Sequence, residues 1–328
     1  MTAATFDHIE LYRAELKAHC YRMLGSAFEA EDALQEAFVR AWRSSEKFEG
    51  RTTLRGWLYR IATNVCLTML SRAKHKRLTP YLSSPPATDF PRGPSIDVSW
   101  LEPYPQHFLN DVPDESAAPH ARYEQQEATE LAFVAAIAYL PPKQRAALLL
   151  HDVLGWSAHE TAHTLETSAA SINSALQRAR DTLRRKLPRD HSALRKRGTT
   201  QAQNDLLAQY VKIWNAQDIR ALVKLLRDDA ILSMPPIPQW YRGRDQVIEI
   251  FEWGCAQMDF TDWHAVPTSA NYDPAILLYG RENGSPAWIA HAVHVLDIRD
   301  GQIVTIHNFM DRGLFKLWGD QRALPAAR

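Results

Sequence analysis

Apolar residues recur at every third or fourth position in two consecutive stretches between residues 156 and 187. In the first they are Ala158, Ala162 and Leu165, and in the second they are Ile172, Ala175, Leu176, Ala179 and Leu183. This spacing predicts two amphipathic helices. Ser157 and Glu160 have the separation of a capping box at the start of the first helix. Glu166 and Thr167 then form a short turn, and Ser168 is placed to cap the second helix, so the pattern predicts a helix-turn-helix.

The polar face of the second predicted helix carries side chains that suit contact with DNA. Short polar groups can reach base edges, and arginines can contact phosphates. The candidates are Ser171, Asn173, Ser174, Gln177, Arg178, Arg180 and Arg184. The periodicity by itself also fits any helical hairpin with a basic end.

Two motifs in this stretch narrow the choice. They are Ser157-x-x-Glu160-x-Ala162-x-x-Leu165-x-x-Ser168 and Ser171-Ile172-x-Ser174-x-Leu176-x-Arg178-Ala179-Arg180-x-x-Leu183. Together they closely resemble region 4 of the sigma-70-like RNA polymerase initiation factors, in the extracytoplasmic-function group. Residues 140–145, Leu-Pro-Pro-Lys-Gln-Arg, resemble the beginning of the same region. In that family region 4 reads the −35 promoter element, and the resemblance implies this role for the seven candidates.

Residues 6 to 77 show a helical pattern throughout. One helix is predicted to begin near the acids of residues 29–32, where the helix dipole favours negative charge. Its buried stripe is predicted to be Leu34, Phe38, Ala41 and Trp42. Four polar side chains lie off this stripe, either as an ordinary solvated face or as a contact surface for a partner: Asp32, Gln35, Glu36 and Arg40.

This helix has the motif Glu31-Asp32-Ala33-Leu34-Gln35-Glu36-Ala37-Phe38-x-x-Ala41-Trp42. The motif strongly resembles region 2 of the same sigma factors, in which this helix docks on a coiled coil of the largest polymerase subunit. The resemblance therefore implies that the four polar side chains bind core RNA polymerase.

The next segment, residues 48–72, resembles the part of region 2 that melts DNA and reads the −10 element. The resemblance implies −10 contacts by Phe48, Arg55, Arg60, Asn64 and Arg72. Independently of any family, every charged residue from Arg51 to Arg77 is basic, and Trp57 and Tyr59 lie among them. Such a combination suits melted DNA, because aromatic rings stack on bases while cations follow phosphates. Trp57 itself is expected in the core, on a stripe with Leu54, Leu58 and Ile61.

Prolines and acids dominate residues 79–122, which predicts a partly extended linker. Its acidity could serve solubility, or it could let the segment pass through a basic channel, as the linker of sigma factors does in the polymerase cleft. Trp100 and Tyr104 lie between prolines, and exposed aromatics in a polar linker usually dock on a surface. That surface could belong to polymerase or to the C-terminal domain, and we expect a regulatory role for both aromatic residues.

Beyond residue 199 the pattern changes to helices followed by strand-like runs. The runs lie near 264–270, 274–281, 287–299 and 302–311, with Asp300-Gly301 as a hairpin turn. This order predicts an α+β domain. The motifs Trp214-Asn215-Ala216-Gln217-Asp218, Leu225-Leu226-x-Asp228-Asp229-Ala230, Tyr241-x-Gly243-Arg244 and Asp300-Gly301-Gln302-Ile303 resemble the SnoaL-like, nuclear-transport-factor-like cone. Sigma factors with such an appended domain form a subset of the extracytoplasmic-function group.

The cone of that fold often encloses a pocket, so catalysis has to be weighed. The candidate acid-base groups are His264, His291, His294, His307 and Asp311. His294 is expected on an apolar strand face, as a core residue, and His291 is expected to face the other way. No His-Asp pair has a spacing that marks an enzyme, so a regulatory or ligand-sensing domain is favoured over catalysis, with no cofactor and no metal.

Composition sets limits on the whole chain. Its 328 residues suffice for several domains, and the formal net charge is zero. Cys20, Cys66 and Cys255 have no metal-like spacing and fit a reducing cytosol. No apolar run approaches the roughly 20 residues of a membrane span, so we expect a cytoplasmic protein without a membrane segment.

The sequence thus predicts a multidomain protein with two all-α sigma domains and a C-terminal α+β SnoaL-like cone. The expected boundaries are 1–78 for region 2, 79–122 for the linker, 123–192 for region 4 and 200–320 for the cone. The predicted function is that of an alternative sigma factor, with core RNA polymerase and promoter DNA as partners, regulated by its own C-terminal domain, which could bind a small molecule. One alternative is a SnoaL-like enzyme tethered to a DNA-binding module. Another is a repressor, which would have no need of a polymerase-docking helix.

Overall fold

The structure is a computed structural model that describes residues 9–45, 53–72, 84–95, 100–110, 131–186, 201–319 and 323–324. The chain forms two compact units. The first combines Met1–Leu78 with Gln106–Arg195, and the second combines Thr79–Pro105 with Lys196–Arg328. The expected linker is therefore divided, because its first part belongs to the C-terminal unit. The segments expected to be regions 2 and 4 lie together in one compact unit.

The first unit begins with three helices, α1 (Arg13–Leu24), α2 (Ala27–Ser44) and α3 (Leu54–Arg72), which pack on one another. Gly25 ends α1 in the left-handed conformation, with φ 72°, and its N–H donates to the carbonyl oxygen of Tyr21. Ser26 caps α2, because its hydroxyl oxygen accepts from the N–H of Glu29 at 3.1 Å. A glycine and a serine thus separate the two helices.

Two expectations about buried faces are correct only in part, because Leu34, Phe38, Ala41 and Leu58 are buried as expected but other members of the two stripes are not. Trp42 is 59% exposed, and the buried face of α2 runs through Ala30, Ala33, Leu34, Ala37, Phe38 and Ala41. In α3, Leu54, Trp57 and Ile61 are only half-buried, and the buried face is Leu58, Tyr59, Ala62, Thr63, Val65 and Cys66. Both helices carry apolar side chains on more than one face. Periodicity therefore could not identify the face that packs on the neighbouring helices.

The rest of the first unit is also helical. It comprises α4 (His107–Asn110), α5 (Leu131–Ile137), α6 (Pro142–Leu148), a π-helical turn (Leu149–Val153), α7 (Ala158–Thr164) and α8 (Ala169–Lys186). The predicted helix-turn-helix is confirmed as α7 and α8. Ser157 and Glu160 form the capping box, and Glu166 adopts a left-handed φ of 51° in the turn. Ile172, Leu176, Ala179 and Leu183 are buried as the apolar stripe of α8.

The second unit is α+β, as predicted. Its elements are α9 (Gln201–Asn215), a 3-10 helix (Ile219–Lys224), β1 (Leu226–Met234), β2 (Ile237–Arg242), α10 (Arg244–Ala256), β3 (Phe260–Ala270), β4 (Asp273–Glu282), β5 (Trp288–Arg299), β6 (Gln302–Phe309), a second 3-10 helix (Arg312–Trp318) and β7 (Ala323–Leu324). The sheet order is β2-β1-β6-β5-β4-β3, with β7 on β5. Only the β1–β6 pair is parallel among the described pairings.

Tight turns join the antiparallel strands of this sheet. The predicted hairpin turn between β5 and β6 is confirmed, with positive φ angles at Asp300 and Gly301. A second turn of this kind joins β3 to β4 at Asn271 and Tyr272. Helix α9 packs on β3 and β4, and α10 packs on β1 and β2, so the main hydrophobic core lies between sheet and helices. Within the described segments, none of the helices combines the length and apolarity needed to cross a bilayer.

Candidate nucleic-acid and polymerase interfaces

Helix α8 exposes the face that the sequence assigns to DNA. Asn173, Ser174, Gln177 and Arg178 are all exposed, on the side opposite the buried stripe. Asn173 and Gln177 are one turn apart, and with Arg180 and Arg184 they line one surface depression. This arrangement places amide groups beside cations, which is the combination needed to read base edges while holding phosphates.

Some of the seven candidates also have roles within the protein. The Ser171 N–H donates to Ser168 Oγ at 3.2 Å, so Ser168 caps α8 as predicted. The Ser174 hydroxyl donates to the carbonyl oxygen of Ala170 at 3.1 Å. These two serines lie at the beginning of α8, where their hydroxyl groups satisfy local partners.

The arginines of α8 differ in how they are held. Arg180 donates to the Asp152 carboxylate at 2.6 and 3.0 Å, and this hydrogen bonding raises the pKa of Arg180. Arg184 donates to Asp181 at 3.0 Å. Among the described residues, no side chain pairs with the guanidinium of Arg178. Arg178 is therefore the arginine of this face that is most available to a ligand.

The residues assigned to −10 DNA are placed in different environments. Arg60 and Asn64 are half-buried on α3, Arg72 is exposed at its end, and Phe48 lies outside the described residues. Arg55 donates to both carboxylate oxygens of Glu15 at 2.7 to 3.0 Å. Because this ion pair joins α1 to α3, Arg55 holds the helices together, a contact that the sequence pattern did not reveal.

Helix α2 carries a second exposed stripe that combines polar and large apolar residues. Asp32, Gln35, Glu36 and Arg40 are all exposed, and Arg40 donates to Glu36 at 2.7 Å. Three apolar side chains lie beside them and are also exposed: Phe28 (38%), Val39 (40%) and Trp42 (59%). Phe28, Asp32, Gln35, Val39 and Trp42 follow helical spacing, so they form one continuous face. Exposed apolar residues of this size in a contiguous stripe are typical of a protein-binding surface.

The two helical parts of the first unit are joined by buried contacts around Arg145. Its guanidinium donates to the carbonyl oxygens of Ala138 (2.7 Å) and Met23, so it bridges α1 and the segment before α6. Tyr59 of α3 meets Trp156 edge to face, with ring centroids 5.8 Å apart. Arg60 of α3 also donates to Glu166 in the turn before α8 at 2.7 Å. The helix assigned to −10 DNA therefore contacts the helix-turn-helix directly.

The sequence left two possible docking surfaces for the aromatic linker motif, and the structure identifies the C-terminal domain. Tyr104 is fully buried, and its N–H donates to Asn271 Oδ1 at 2.7 Å. In return the Asn271 N–H donates to the Tyr104 carbonyl oxygen at 2.8 Å. Trp100 is half-buried, and its indole N–H donates to the Ser95 carbonyl oxygen at 3.4 Å. Tyr104 thus extends the turn between β3 and β4.

The preceding residues, 84–95, which we call the strap, lie along β2 and α10. The Ala87 N–H donates to the Trp240 carbonyl oxygen at 2.8 Å, and the Tyr241 hydroxyl donates to the Asp89 carbonyl oxygen at 3.0 Å. Phe90 stacks on Trp253 of α10, with centroids 5.2 Å apart. The strap covers β2, which is the edge strand on this side of the sheet.

The candidate acid-base groups of the second unit are mostly structural. Burial lowers the pKa of His307 to about 4, and the Asp311 side chain accepts from the Gly313 N–H. His294 is fully buried, as expected, with its Nδ1 2.8 Å from the Tyr210 hydroxyl oxygen. Burial lowers the pKa of His294 to about 3, and the neighbouring His291 acts in the same direction. Burial also lowers the pKa of His291 to about 4, and the positive charge of Arg312 lowers it further.

One expectation about these histidines is wrong, because His291 and His294 line the same cavity. Residues three positions apart on a regular strand would face opposite sides. Here the register shifts: Leu278 pairs with Ala292, whereas Tyr279 pairs with Ala290. His291 is therefore the extra residue of a β-bulge, which turns its side chain towards the side that His294 occupies.

The chain resembles known sigma factors over most of its length. Three family models match it: Sigma-70 region 2 at residues 8–76, Sigma-70, region 4 at residues 130–183, and SnoaL-like domain at residues 207–306. It is 40% identical over 315 residues to the ECF RNA polymerase sigma factor SigG of Mycobacterium tuberculosis, covering 95% of this chain and 82% of SigG. It is 28% identical over 248 residues to SigJ of the same organism, covering 74% of this chain and 70% of SigJ. The crystal structure of SigJ matches with a TM-score of 0.58 at 20% identity, over 95% of this chain and 98% of that chain, and so has the same fold.

Proposed function

Because this chain belongs to the extracytoplasmic-function (ECF) RNA polymerase sigma factors and directs transcription initiation, we propose which of its surfaces bind polymerase and promoter DNA, and how its C-terminal domain regulates them. The proposal has four parts: a polymerase-docking face on α2, a −35-reading face on α8, a −10-reading face on α3, and control through the linker. It also places the protein in the cytoplasm, where polymerase and promoters are found.

The polymerase-docking face is the exposed stripe of α2. Its acidic and amide groups, Asp32, Gln35 and Glu36, are flanked by the exposed side chains of Val39 and Trp42. Large exposed apolar side chains, aromatic ones above all, together with polar groups are the usual composition of a protein interface. Trp42 joins the polar residues that the sequence assigned to this role, since aromatic side chains of this size often dominate binding energy.

The DNA-reading faces are those of α8 and α3. In α8, Asn173, Gln177 and Arg178 are exposed together and are assigned to base edges, while Arg180 and Arg184 are assigned to phosphates. In α3, Arg60 and Asn64 are assigned to −10 DNA, with Arg72 and Phe48 as further contacts. Arg55 is assigned an indirect role, because its ion pair with Glu15 fixes the position of α3.

The closed state of the protein follows from the contact between these two faces. The names of the −35 and −10 elements place them about 25 base pairs apart, or about 85 Å at about 3.4 Å per base pair. Arg60 and Glu166 are in direct contact at 2.7 Å, so α3 and the helix-turn-helix cannot engage both elements in this arrangement. The first unit must open before a promoter is bound, and polymerase would favour the open form by binding it preferentially.

Regulation by the C-terminal domain is carried by one observation, the docking of the linker on that domain. The hydrogen bonds between Tyr104 and Asn271, and those along the strap, hold the segment that connects the two DNA-reading parts. A linker held on the second unit has less freedom to extend between regions 2 and 4 during opening. The domain therefore controls the transition through the linker.

The alternative of a SnoaL-like enzyme has less support. The described residues that line the cavity of this domain include no Asp, Glu, Lys or Arg, and its two histidines are held neutral by burial. A proton-transfer reaction usually needs a group whose pKa lies near the working pH. We therefore assign this domain to regulation, with a small molecule as its ligand, and the nucleotide chemistry to polymerase.

The decisive experiment is transcription in vitro with purified core polymerase and no other sigma factor. We expect a promoter-specific transcript that depends on this protein, and a change in its amount, with the same promoter choice, when residues beyond Arg197 are deleted. A protein that binds DNA but gives no transcript with any promoter of its own genome would contradict the initiation assignment. Equal transcript from the full-length and shortened proteins would contradict the regulatory assignment.

A further inference from the structure

The second unit contains a cavity of about 210 Å³ between its sheet and helices. For comparison, an apolar cavity of about 150 Å³ holds one benzene molecule. Aromatic side chains form much of the wall: Trp214, Phe251, Trp253 and Trp263. The aliphatic and thioether groups of Ile237, Ile250, Met234 and Met258 complete it. The size and the flat aromatic surfaces suit a molecule of one or two rings.

One end of this cavity is polar. His294 of β5 and Asn308 of β6 are directly opposite each other in the strand register, and both side chains line the cavity. Both atoms are buried, and among the described residues neither His294 Nε2 nor Asn308 Oδ1 makes a hydrogen bond of good geometry, although the Asn308 side chain is near enough to raise the pKa of His294 by hydrogen bonding. A buried polar atom without a well-formed hydrogen bond is destabilising, so such a pair marks a place where a ligand group can bind.

The neighbours of His294 define what that group can be. When the Tyr210 hydroxyl donates to His294 Nδ1, the ring proton of the neutral imidazole is on Nε2 and is available as a donor. Asn308 Oδ1, beside it, is an acceptor. A hydroxyl group can accept from the first and donate to the second at the same time. Charged groups are disfavoured, because burial keeps the imidazole neutral and no described lining residue carries a formal charge.

The linker completes the site. Pro91 and Gly93 of the strap line the cavity, and Phe90 stacks on Trp253, which is also a lining residue. The Ala87 N–H donates to the Trp240 carbonyl oxygen of β2 at 2.8 Å, and the Ser95 N–H donates to the Pro236 carbonyl oxygen, in the turn before β2, at 2.9 Å. A ligand in the cavity would contact the strap directly and would favour the state in which the linker is docked.

We propose that this cavity binds a neutral aromatic molecule of one or two rings that carries a hydroxyl group, and that the strap forms one wall of the site. Binding stabilises the docked linker. This consequence for transcription rests on the regulatory role proposed above, whereas the binding itself does not.

The test uses the full-length protein without polymerase, so its failure is separable from failure of the sigma assignment. The probes are 2-naphthol, naphthalene, 2-naphthoate and decanoate, and the measurements are calorimetry and quenching of tryptophan fluorescence. We expect 2-naphthol to bind at least about tenfold more tightly than naphthalene, since a site built for a hydroxyl group leaves polar atoms unpaired without it. We expect no measurable binding of 2-naphthoate or decanoate.

Two variants separate the polar end from the strap. Asn308→Leu should remove the preference for 2-naphthol over naphthalene, and Phe90→Ala should weaken 2-naphthol binding several-fold by loosening the strap. Leu11→Ala is the control for the second, because Leu11 is a large exposed apolar residue of the other unit. Thermal melting shows whether each variant is folded. If Asn308→Leu does not fold, Phe90→Ala still tests the site.

Several results would overturn the proposal. Equal affinity for naphthalene and 2-naphthol in the wild-type protein would show that the site does not recognise a hydroxyl group. Binding of decanoate alone would indicate an acyl-chain site instead. Identical 2-naphthol affinity in the wild-type and Phe90→Ala proteins would show that the strap is not part of the site. If neither naphthalene nor 2-naphthol binds, the proposed aromatic site is refuted.

Discussion

Arg60 Nη2 donates to Glu166 Oε1 at 2.7 Å, which joins the helix assigned to −10 DNA to the turn of the helix-turn-helix. Their side chains are 37% and 71% exposed, so this ion pair contributes at most about 1 kcal/mol. The buried contacts of Arg145 with Met23 and Ala138 hold the same two parts more strongly. The Arg60–Glu166 pair is therefore a sign of the closed arrangement, whereas the buried hydrogen bonds of Arg145 stabilise it.

Changing Arg145 should open the first unit. Arg145→Met keeps much of the side-chain volume but removes its hydrogen bonds to the Met23 and Ala138 carbonyl oxygens. Because charge-assisted hydrogen bonds are worth about 1.5–3 kcal/mol each, we expect destabilisation of at least about 2 kcal/mol and faster amide exchange in α6. Glu166→Ala is the control that breaks only the exposed pair, and it should change stability by less than about 1 kcal/mol. Equal effects of the two changes would contradict this distinction.

The exposed arginines of α8 should differ in their effect on DNA binding. Arg178→Ala should weaken binding to the promoter by about 1–3 kcal/mol, with little effect on unrelated DNA, because Arg178 is assigned to a base edge. Arg184→Ala should weaken binding to all sequences and reduce the dependence on salt, as expected for a phosphate contact. Equal losses on promoter and scrambled DNA for Arg178→Ala would remove Arg178 from the base-reading set.

Polymerase binding should depend on the exposed face of α2. Reversing charge in the Asp32→Lys, Glu36→Lys double variant should abolish capture of core polymerase, and Trp42→Ala should weaken it strongly while leaving the helical fold intact. Glu249→Lys is the control, because Glu249 is an exposed acid of α10 in the other unit. Circular dichroism is the check that each variant is folded. Capture of polymerase by the double variant at the wild-type yield would be incompatible with this docking face.

The linker should be released by removing the Asn271 side chain. Asn271 has a φ of 55°, so glycine is the replacement that tolerates this conformation while deleting the hydrogen bond to the Tyr104 N–H. We expect Asn271→Gly to raise amide exchange in residues 100–105 several-fold and to alter transcript yield from one promoter. Trp100→Ala should have a smaller effect than Tyr104→Ala, because Trp100 is half-buried and Tyr104 is fully buried. Unchanged exchange in Asn271→Gly would mean that this contact does not hold the linker.

Stability should fall in mild acid because of buried histidines. In the second unit, burial lowers the pKa of His294 to about 3 and that of His291 and His307 to about 4. In the first unit, burial lowers the pKa of His19 to about 3. Below pH 6.5 the unfolded chain binds protons that the folded chain does not. The free energy of unfolding therefore decreases as the pH falls from about 6.5 towards 4, by up to about 1.4 kcal/mol per pH unit for each such histidine.

Calorimetry between pH 7 and pH 5 should show this loss, with a steeper decrease for the second unit than for the first. His307→Gln should reduce the slope for the second unit. His163→Gln, at an exposed histidine of α7, is the matched control and should leave that slope unchanged. A stability that is independent of pH in this range would contradict the assignment of neutral buried histidines.

Much of this protein could be determined from its sequence, because the relevant signals are local. The capping box at Ser157 and Glu160, the apolar stripe of α8 and the turn at Asp300-Gly301 each depend on residues only a few positions apart. The polar face of α8 follows from the same helical periodicity. The order of helices and strands likewise predicted the α+β unit, and the motifs identified the family.

Tertiary structure decided what depends on contacts between distant segments. Trp42 is exposed and Arg55 is paired with Glu15 because of how α1, α2 and α3 pack, which an apolar pattern on several helix faces does not specify. A single extra residue in β5 places His291 beside His294, and a bulge has no strong sequence signature. The docking of Tyr104 on Asn271, 167 positions later in the chain, required the folded sheet, since its partner is a backbone turn that exists only there.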